Sequence, residues 1–149
     1  GGTALHEAAA MLWMEGVEVL IGAGADPRPA DRRGYTPLHE VALVGRGGAG
    51  SAMVQLLVAC RADPNDQARD GNTPLHLASS KNSVAVLVAL VNAGADTEIA
   101  NQEGHTPAFA AAAGGCTEAL LALMKCNADL HRRDHEGHSL LHAAAAGGR

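Results

Sequence analysis

One phrase recurs along the chain at a nearly fixed interval. Gly-x-Thr-Pro-Leu-His occurs at residues 34–39 and again at 71–76, and looser copies begin at Gly1, Gly104 and Gly137. The steps between the five copies are 33, 37, 33 and 33 residues. Self-similarity at such a period is typical of repeat architectures, in which one unit cannot bury its own apolar face and is stabilised by stacking on its neighbours.

A second phrase keeps the same phase. Gly-Ala-Asp or a near match follows at 24–26, 61–63, 94–96 and 127–129. A short acidic side chain at a fixed place after a helix can stabilise a turn, so these aspartates are predicted to be structural rather than part of a charged binding face.

Each unit carries start and stop signals for two helices. A residue that caps helix N-termini well stands at the start, and in three units proline follows at the first helical position. The capping residues are Thr3, Thr36, Thr73, Thr106 and Ser139. The pattern predicts a short Ala-rich helix such as 75–80 and a second helix such as 84–92 with a Val/Leu face. The second helix should end near Gly94, where a left-handed cap favours Gly or Asn, and the following Asp, Asn and Gly residues indicate a turn.

The two phased phrases resemble the ankyrin repeat, and the resemblance covers the whole chain. It implies an all-α solenoid of stacked helix-turn-helix units from which β-turn fingers project. Within residues 1–149 the predicted units are about 1–30, 31–67, 68–100, 101–133 and 134–149, the first and last being incomplete. The chain lacks an initiator Met, and both ends would leave apolar faces that complete arrays cover with polar caps, so we expect a piece of a longer array.

Three departures from the repeat carry expectations of their own. The second unit has four extra residues in the run 47–50, which we expect to form a flexible connection between its two helices. The fourth unit has Ala108 and Phe109 where the others have Leu and His. Arg61 stands at the cap position that Gly24 and Gly94 occupy, so it is expected to be strained.

Composition argues against several functions. The formal net charge is −5 and aromatic residues make up 2% of the chain, so it offers neither the positive charge nor the aromatic rings that nucleic-acid binding usually needs. No apolar run approaches the ~20 residues that span a membrane, so we expect no membrane insertion.

The cysteines favour an intracellular location, cytoplasmic or nuclear. Cys60, Cys116 and Cys126 are an odd number and form no disulfide framework. Cys60 and Cys126 lie two units apart, roughly 20 Å for helices stacked ~10 Å apart. That distance is too long for a disulfide. The isolated array is expected to be monomeric.

The eight histidines suggest metal binding, but the repeat explains them better. His6, His39, His76 and His142 belong to the Leu-His phrase, and in ankyrin-like repeats this imidazole bridges backbone groups of neighbouring turns. The set 131, 135, 138 and 142 has ligand-like spacing, yet three of its members lie in or near one exposed finger, and His142 is expected to point back into the stack. Tetrahedral zinc needs convergent ligands, so we predict no metal site and no cofactor.

No catalytic constellation is present in the sequence. Residues 45–50 read Gly-Arg-Gly-Gly-Ala-Gly, but they lack the Gly-Lys-Ser/Thr ending of a phosphate-binding loop and follow no predicted strand. No serine stands in a Gly-x-Ser-x-Gly elbow. The chain is therefore predicted not to be an enzyme.

Resemblance to ankyrin-repeat proteins implies that the chain binds another protein through a concave side formed by fingers and first helices. Mapped by repeat position, the partner-binding residues are Arg32, Arg33, Tyr35, Leu43, Val44, Arg69, Asp70, Asn72, Leu77, Lys81, Gln102, Glu103, His105, His135 and His138. Further groove positions are Glu7, Met11, Glu40 and Ala113. The expected hot spot is Arg33 and Tyr35 with Leu43 and Val44 behind them, since Tyr and Arg commonly anchor interfaces. Two alternatives stay open: the finger arginines form an ordinary solvated loop, or the array is a regulatory segment of a larger enzyme or channel.

Asn65 is a candidate modification site. It follows Leu57 by eight residues and Asp63 by two, a spacing that resembles the sites of intracellular asparaginyl hydroxylases in ankyrin arrays. Pro64 departs from the usual aliphatic neighbour, so an unmodified structural Asn is the competing interpretation.

Overall fold

The computed structural model describes residues 2–147, which form nine α-helices and no strands. The helices are α1 (Ala4–Ala10), α2 (Met14–Gly22), α3 (Pro37–Val44), α4 (Gly47–Ala59), α5 (Pro74–Ser80), α6 (Val84–Asn92), α7 (Pro107–Ala113), α8 (Thr117–Lys125) and α9 (Leu140–Ala146). The predicted all-α array with two helices per unit is thereby confirmed for this part of the chain. Gly1, Gly148 and Arg149, which the sequence assigned to the first and last units, lie outside the described residues. None of the helices just named is long and apolar enough to cross a membrane.

The helices form two layers. The first helices α1, α3, α5, α7 and α9 contact one another in series, and the second helices α2, α4, α6 and α8 do the same behind them. Within each of the first four units the two helices also pack together. Each helix therefore buries its apolar face against its own partner and its neighbours.

The core repeats with the period of the sequence. Leu57, Leu90 and Leu123 occupy equivalent places in the second helices, and all three are fully buried. Leu38 and Leu75 are the matching pair in the first helices. Aliphatic side chains at a constant period thus give one continuous core across the stack.

The histidine of the Leu-His phrase joins each unit to the next. In the third unit, Nδ1 of His76 accepts the backbone N–H of Thr73 at 3.1 Å. Its Nε2–H donates to the backbone carbonyl of His105, in the next finger, at 2.9 Å. A carbonyl can only accept, so the neutral ring must carry its proton on Nε2 and leave Nδ1 as the acceptor. One buried imidazole therefore both caps its own helix and holds the following unit.

The same bridge occurs in the first two units. His6 donates to the carbonyl of Tyr35 at 2.7 Å and His39 to that of Asn72 at 3.1 Å. His142 keeps only the capping half of this arrangement, since its Nδ1 accepts the N–H of Ser139 at 3.2 Å. Its ring is exposed, and within residues 2–147 no finger follows it to accept from Nε2.

The run 47–50 does not form a flexible connection; it is the first turn of α4. This helix has 13 residues, whereas α2, α6 and α8 each have 9. Four residues add about one helical turn, so the apolar face of α4 keeps its direction despite the insertion. Gly50 is needed here, because a Cβ at this position would lie 2.7 Å from a methyl group of Val86 and 2.9 Å from the backbone of Gly45. Ser51 fixes the same turn to α6 by donating its hydroxyl to the Ala85 carbonyl at 2.9 Å.

The ends of the second helices adopt the left-handed conformation that the sequence indicated. The φ angles are +92° at Gly24 and +95° at Gly94, and the non-glycine residues Arg61 and Asn127 have 72° and 62°. Arg61 is exposed, and within residues 2–147 its guanidinium makes no hydrogen bond or ion pair that would offset the conformational cost. The predicted strain at Arg61 is therefore consistent with its geometry.

We expect Arg61→Gly to stabilise the protein. Relief of the contact between Cβ and the backbone in the left-handed region should add about 1 kcal/mol to the free energy of unfolding, measured by denaturant melts. Gly94→Ala is the matched control and should destabilise by a similar amount, since space around Gly94 is open and only its φ angle opposes a side chain. A loss of stability in Arg61→Gly would contradict the prediction and reveal a role for the arginine side chain.

Stability should also fall as the pH is lowered. Burial lowers the pKa of His76 to about 4, although its hydrogen bond to the His105 carbonyl acts in the opposite direction. An unfolded histidine titrates near 6.5, so between these values the unfolded chain binds more protons than the folded one. This contribution to the free energy of unfolding is complete above about pH 6.5 and is lost as the pH falls towards 4. The loss amounts to about 2 kcal/mol at pH 5. Denaturant melts between pH 7.5 and 5 should show it, and the slope should be shallower in His76→Gln; an equal slope in the two proteins would refute the assignment.

Candidate functional site

Each finger is a turn whose backbone N–H groups donate to a side chain of the same finger, in most cases the side chain at its first position. In the fourth unit, Oδ1 of Asn101 accepts the backbone N–H groups of Glu103 and His105, both at 3.0 Å. Asp31 and Asp134 do the same in their own fingers. The third finger begins with Ala68 instead, and there Asp70 caps the turn by accepting the N–H of Asn72 at 3.0 Å. Each finger therefore has an internal acceptor that fixes its shape.

Backbone hydrogen bonds join the fingers into a row. Arg69 donates to the carbonyl of Arg33 at 2.9 Å, and Gln102 donates to that of Asp70 at 3.0 Å. His135 continues the series by donating to the Glu103 carbonyl at 3.3 Å. The turn glycine allows this approach: Gly71 has a φ of +81°, and a Cβ there would lie 2.8 Å from the nitrogen of Gln102. The row holds exposed side chains in fixed relative positions.

The four acids of the second phrase have the predicted structural role. The Oδ1 atoms of Asp26, Asp63, Asp96 and Asp129 each accept the backbone N–H two residues ahead, at 2.8–2.9 Å. These carboxylates cap turns after the second helices.

The structure places most of the predicted partner-binding residues on one surface. We call this the finger–first-helix surface; it comprises the fingers 31–36, 68–73, 101–106 and 134–139 with helices α3, α5, α7 and α9. The exposed members of the predicted set are Arg32, Arg33, Val44, Arg69, Asp70, Lys81, Gln102, Glu103, His135 and His138. Tyr35, Leu43, Asn72 and His105 are half-buried.

Leu77 is a correction to the predicted set. Only 8% of it is exposed, and it packs in the core, so it offers almost no surface to a partner. The repeat phase places it on the first helix but does not tell how deeply that position lies between neighbouring helices.

The expected hot spot at Arg33 and Tyr35 is engaged within the protein. Arg33 forms ion pairs with Asp31 at 3.1 Å and Glu40 at 2.8 Å, and its guanidinium lies 4.0 Å from the centre of the Tyr35 ring. The ring stacks on His39 at 5.1 Å between centroids. The pKa of Tyr35 is raised, chiefly by burial.

This cluster changes what Arg33 and Tyr35 can do. The charge of Arg33 is balanced internally, and Tyr35 packs against the core, so both residues take part in the fold. Asp31 is the member that the sequence analysis missed. Its place at the first position of the finger, equivalent to Asn101 and Asp134, is the signal that could have found it.

Three other cations of the surface keep their charge available. Arg32, Arg69 and Lys81 are exposed, and none makes an ion pair within residues 2–147. They lie on the second and third fingers and at the end of α5. The cationic part of the surface is thus formed by these residues rather than by Arg33.

The fourth and fifth fingers have the opposite character. Nδ1 of His105 lies 3.1 Å from Glu103, and Nδ1 of His138 lies 3.2 Å from Asp134 and 3.5 Å from Glu136. Burial of Asp134 acts to raise its pKa, but the N–H groups of Glu136 and His138 and the ring of His138 outweigh it and lower the pKa. Asp134 is therefore a carboxylate at neutral pH, and this end of the surface is acidic.

A groove of about 560 Å³ runs between α7 and α9 on the same surface. We call it the α7–α9 groove. One wall is formed by His105 and Ala113 and the other by His138, His142 and Ala146, with the buried Phe109 and Ala143 on the floor and Asp134 at the finger end. Phe109 departs from the repeat in the sequence, but the groove also depends on Ala143 and Gly147, which stand where the third unit has Leu77 and Lys81.

The C-terminal histidines do not converge on a metal site. His131 is exposed and donates its backbone N–H to Asp129, while His138 faces Asp134. Among residues 2–147, no group of three or more His, Cys, Asp or Glu side chains is arranged to hold a metal ion.

Asn65 uses its whole amide group between units. Its Nδ2 donates to the Gly94 carbonyl at 3.0 Å, and its Oδ1 accepts the N–H of Asp96 at 2.8 Å. This geometry favours the structural interpretation, and hydroxylation of Asn65 stays a prediction.

Comparison with known protein families identifies the repeat. The family model described as ankyrin repeats (3 copies) matches residues 46–134, which is more than half of the chain. A search of curated proteins found no match. The matched range covers α4 to α8 and the third and fourth fingers. The expected absence of enzymatic activity stays a prediction.

We expect zinc to leave the melting temperature unchanged. The ligands for a specific site do not converge, whereas a real site would add ~2.7 kcal/mol of stability at a hundredfold excess of metal over its dissociation constant. Thermal melts with and without zinc check this. The matched variant His131→Asn/His135→Asn should behave identically; a zinc-dependent rise that this variant abolishes would establish a site.

Proposed function

The chain belongs to the ankyrin-repeat family, and from this we propose that it binds another protein through the finger–first-helix surface. Ankyrin repeats are generally protein–protein interaction modules. The observation that supports this surface is the finger row, because its backbone hydrogen bonds hold exposed polar side chains in place before a partner arrives. Preorganised groups lose little conformational entropy on binding, so more of their interaction energy contributes to affinity.

The surface has a positively charged half and an acidic half, so a partner segment should bind in one orientation. Arg32, Arg69 and Lys81 outnumber the exposed carboxylate of Asp70 and give the second and third units a positive character, while Glu103, Asp134 and Glu136 make the fourth and fifth acidic. A protein segment with acidic residues at one end and basic residues at the other would match both halves in a single orientation. Complementary charges of this kind chiefly set the specificity and the association rate.

The fingers also favour a protein partner over a nucleic acid. The positive half carries three cations that form no ion pair within the described residues, and the carboxylates of the acidic half would repel the phosphates of a nucleic acid. The surface offers rings at Tyr35, His105, His135 and His138, but Tyr35 and His105 already stack on His39 and Phe109. Hydrogen-bonding groups and small apolar side chains are what remains for contact.

We expect Arg69→Ala/Lys81→Ala to weaken partner binding without affecting the fold. Affinity for a protein captured from cell extract should fall at least about tenfold, as on loss of interface anchors. The stability should change by no more than ~0.5 kcal/mol, since both side chains are exposed and unpaired. Affinity is measured by titration and stability by denaturant melts.

The matched control removes the same charge elsewhere. Arg46→Ala/Lys125→Ala also takes away two exposed cations, but at the start of α4 and the end of α8. This variant should keep its affinity. Equal losses in the two variants would indicate a general charge effect, and a loss caused instead by altering Val88, Leu121 or Met124 on the second helices would move the binding site to the opposite side.

A further inference from the structure

We propose that the α7–α9 groove receives a long basic side chain, arginine or lysine, of the partner protein. The proposal rests on the function proposed above and adds the residue class that the partner inserts. Its basis is the combination, in one groove, of an apolar floor with carboxylates at a single end.

The groove exists because small residues replace large ones at equivalent positions. The place held by Glu40 in α3 and Leu77 in α5 is held by Ala143 in α9. Likewise, Val44 at the end of α3 and Lys81 after α5 correspond to Gly114 and Gly147. The two first helices also approach closely at their ends, where a Cβ on Gly147 would lie 2.4 Å from the Ala113 carbonyl. Missing side-chain volume, rather than separation of the helices, therefore opens the groove.

The floor of the groove is apolar. Phe109 replaces the bridging histidine and is 4% exposed, its ring stacked on His105 at 4.5 Å between centroids. Ala143 lies beside it and is also buried. A methylene chain laid along these groups would exchange water for apolar contact, which is favourable.

The finger end of the groove carries the charge. Asp134, with a side chain only 5% exposed, has Oδ2 at 3.2 Å from His138 and 3.4 Å from His105. The carboxylates of Glu103 and Glu136 are 73% and 79% exposed beside these rings. Arg133 is the neighbouring cation, and it donates to the Gly137 carbonyl rather than to any of these acids. The end therefore favours a positive group.

A basic side chain satisfies both parts of the groove at once. Lysine and arginine place an aliphatic stem against apolar surface and keep the charged head near polar groups. Hydrogen bonds between such a head and a carboxylate are among the stronger ones in proteins. An aliphatic or aromatic side chain would leave the carboxylates unused, and an acidic one would be repelled by them.

The test uses random linear peptides displayed on phage and selected on the whole chain. Selected peptides should share an arginine or lysine whose replacement by norleucine lowers affinity at least about tenfold. Ala146→Leu, which fills the groove from an exposed helix position, should lower affinity for the parent peptides equally. In that variant the norleucine peptides should lose nothing more, because the introduced leucine already keeps the peptide side chain out of the groove and its charged head away from the carboxylates.

A second variant tests the carboxylates, and each of the two test variants has a matched control. Ala145→Leu adds the same side chain to the same helix at an exposed position outside the groove and should keep the affinity. Glu103→Gln/Glu136→Gln should weaken the arginine or lysine peptides about twofold to fivefold and the norleucine peptides hardly at all. Glu15→Gln/Glu18→Gln on α2 removes equal charge and should have no effect.

The outcomes separate this proposal from the one on which it rests. Peptides that bind through an aromatic or aliphatic residue, or whose affinity is unaffected by Ala146→Leu, overturn the groove proposal. If such peptides still depend on Arg69 and Lys81, the finger–first-helix surface stands and only the groove assignment fails. A selection in which no peptide depends on either site overturns both.

Discussion

The stack depends on the hydrogen bond from a buried histidine to the next finger. In the third unit, His76 accepts from Thr73 within its own helix start and donates to the His105 carbonyl beyond it. A buried polar group without partners would cost about 1–3 kcal/mol, so both nitrogens must be satisfied for the ring to lie inside the protein. The requirement fixes the distance between a helix start and the following finger. Because α1, α3 and α5 are each joined to the next finger at this distance, these fingers align well enough for their backbones to bond to one another.

The fourth unit shows what happens when this histidine is replaced. Phe109 can neither cap Thr106 nor reach a carbonyl in the fifth finger, and the hydroxyl of Thr106 is buried with no hydrogen-bond partner in the described part of the chain. The fifth finger is still held by the backbone bond from His135 to Glu103. The position has thus exchanged a polar link for an apolar floor, stacked on His105, under the α7–α9 groove. A place that the repeat uses for stability in the earlier units becomes available for recognition here.

The sequence predicted those features that depend on one residue acting at a fixed period. The second helix at 84–92, the turn-capping aspartates and the left-handed Arg61 follow from local chemistry, and the geometry agrees with each. Features that depend on two distant side chains were not predictable in the same way. The lengthened α4 depends on contact between Gly50 and Val86, and the burial of Leu77 depends on how closely neighbouring helices pack. The internal pairing of Arg33 required knowing that Glu40, one helix turn inside α3, reaches back to the finger.

Residues that stabilise the fold can therefore be distinguished from residues available for binding by whether the repeat uses their side chains for capping, bridging or core packing. Asp31, His39 and Tyr35 satisfy one another and the backbone, so a change there alters stability together with any contact to a partner. Arg69 and Lys81 take no part in capping, bridging or core packing through their side chains, although the backbone of Arg69 belongs to the finger row. The same holds for Ala146, whose small size matters only because it leaves space. An array of this kind can change its partner by altering such side chains while the bonds that hold each finger stay as they are. This argues that recognition resides in the residues that the repeat leaves unconstrained.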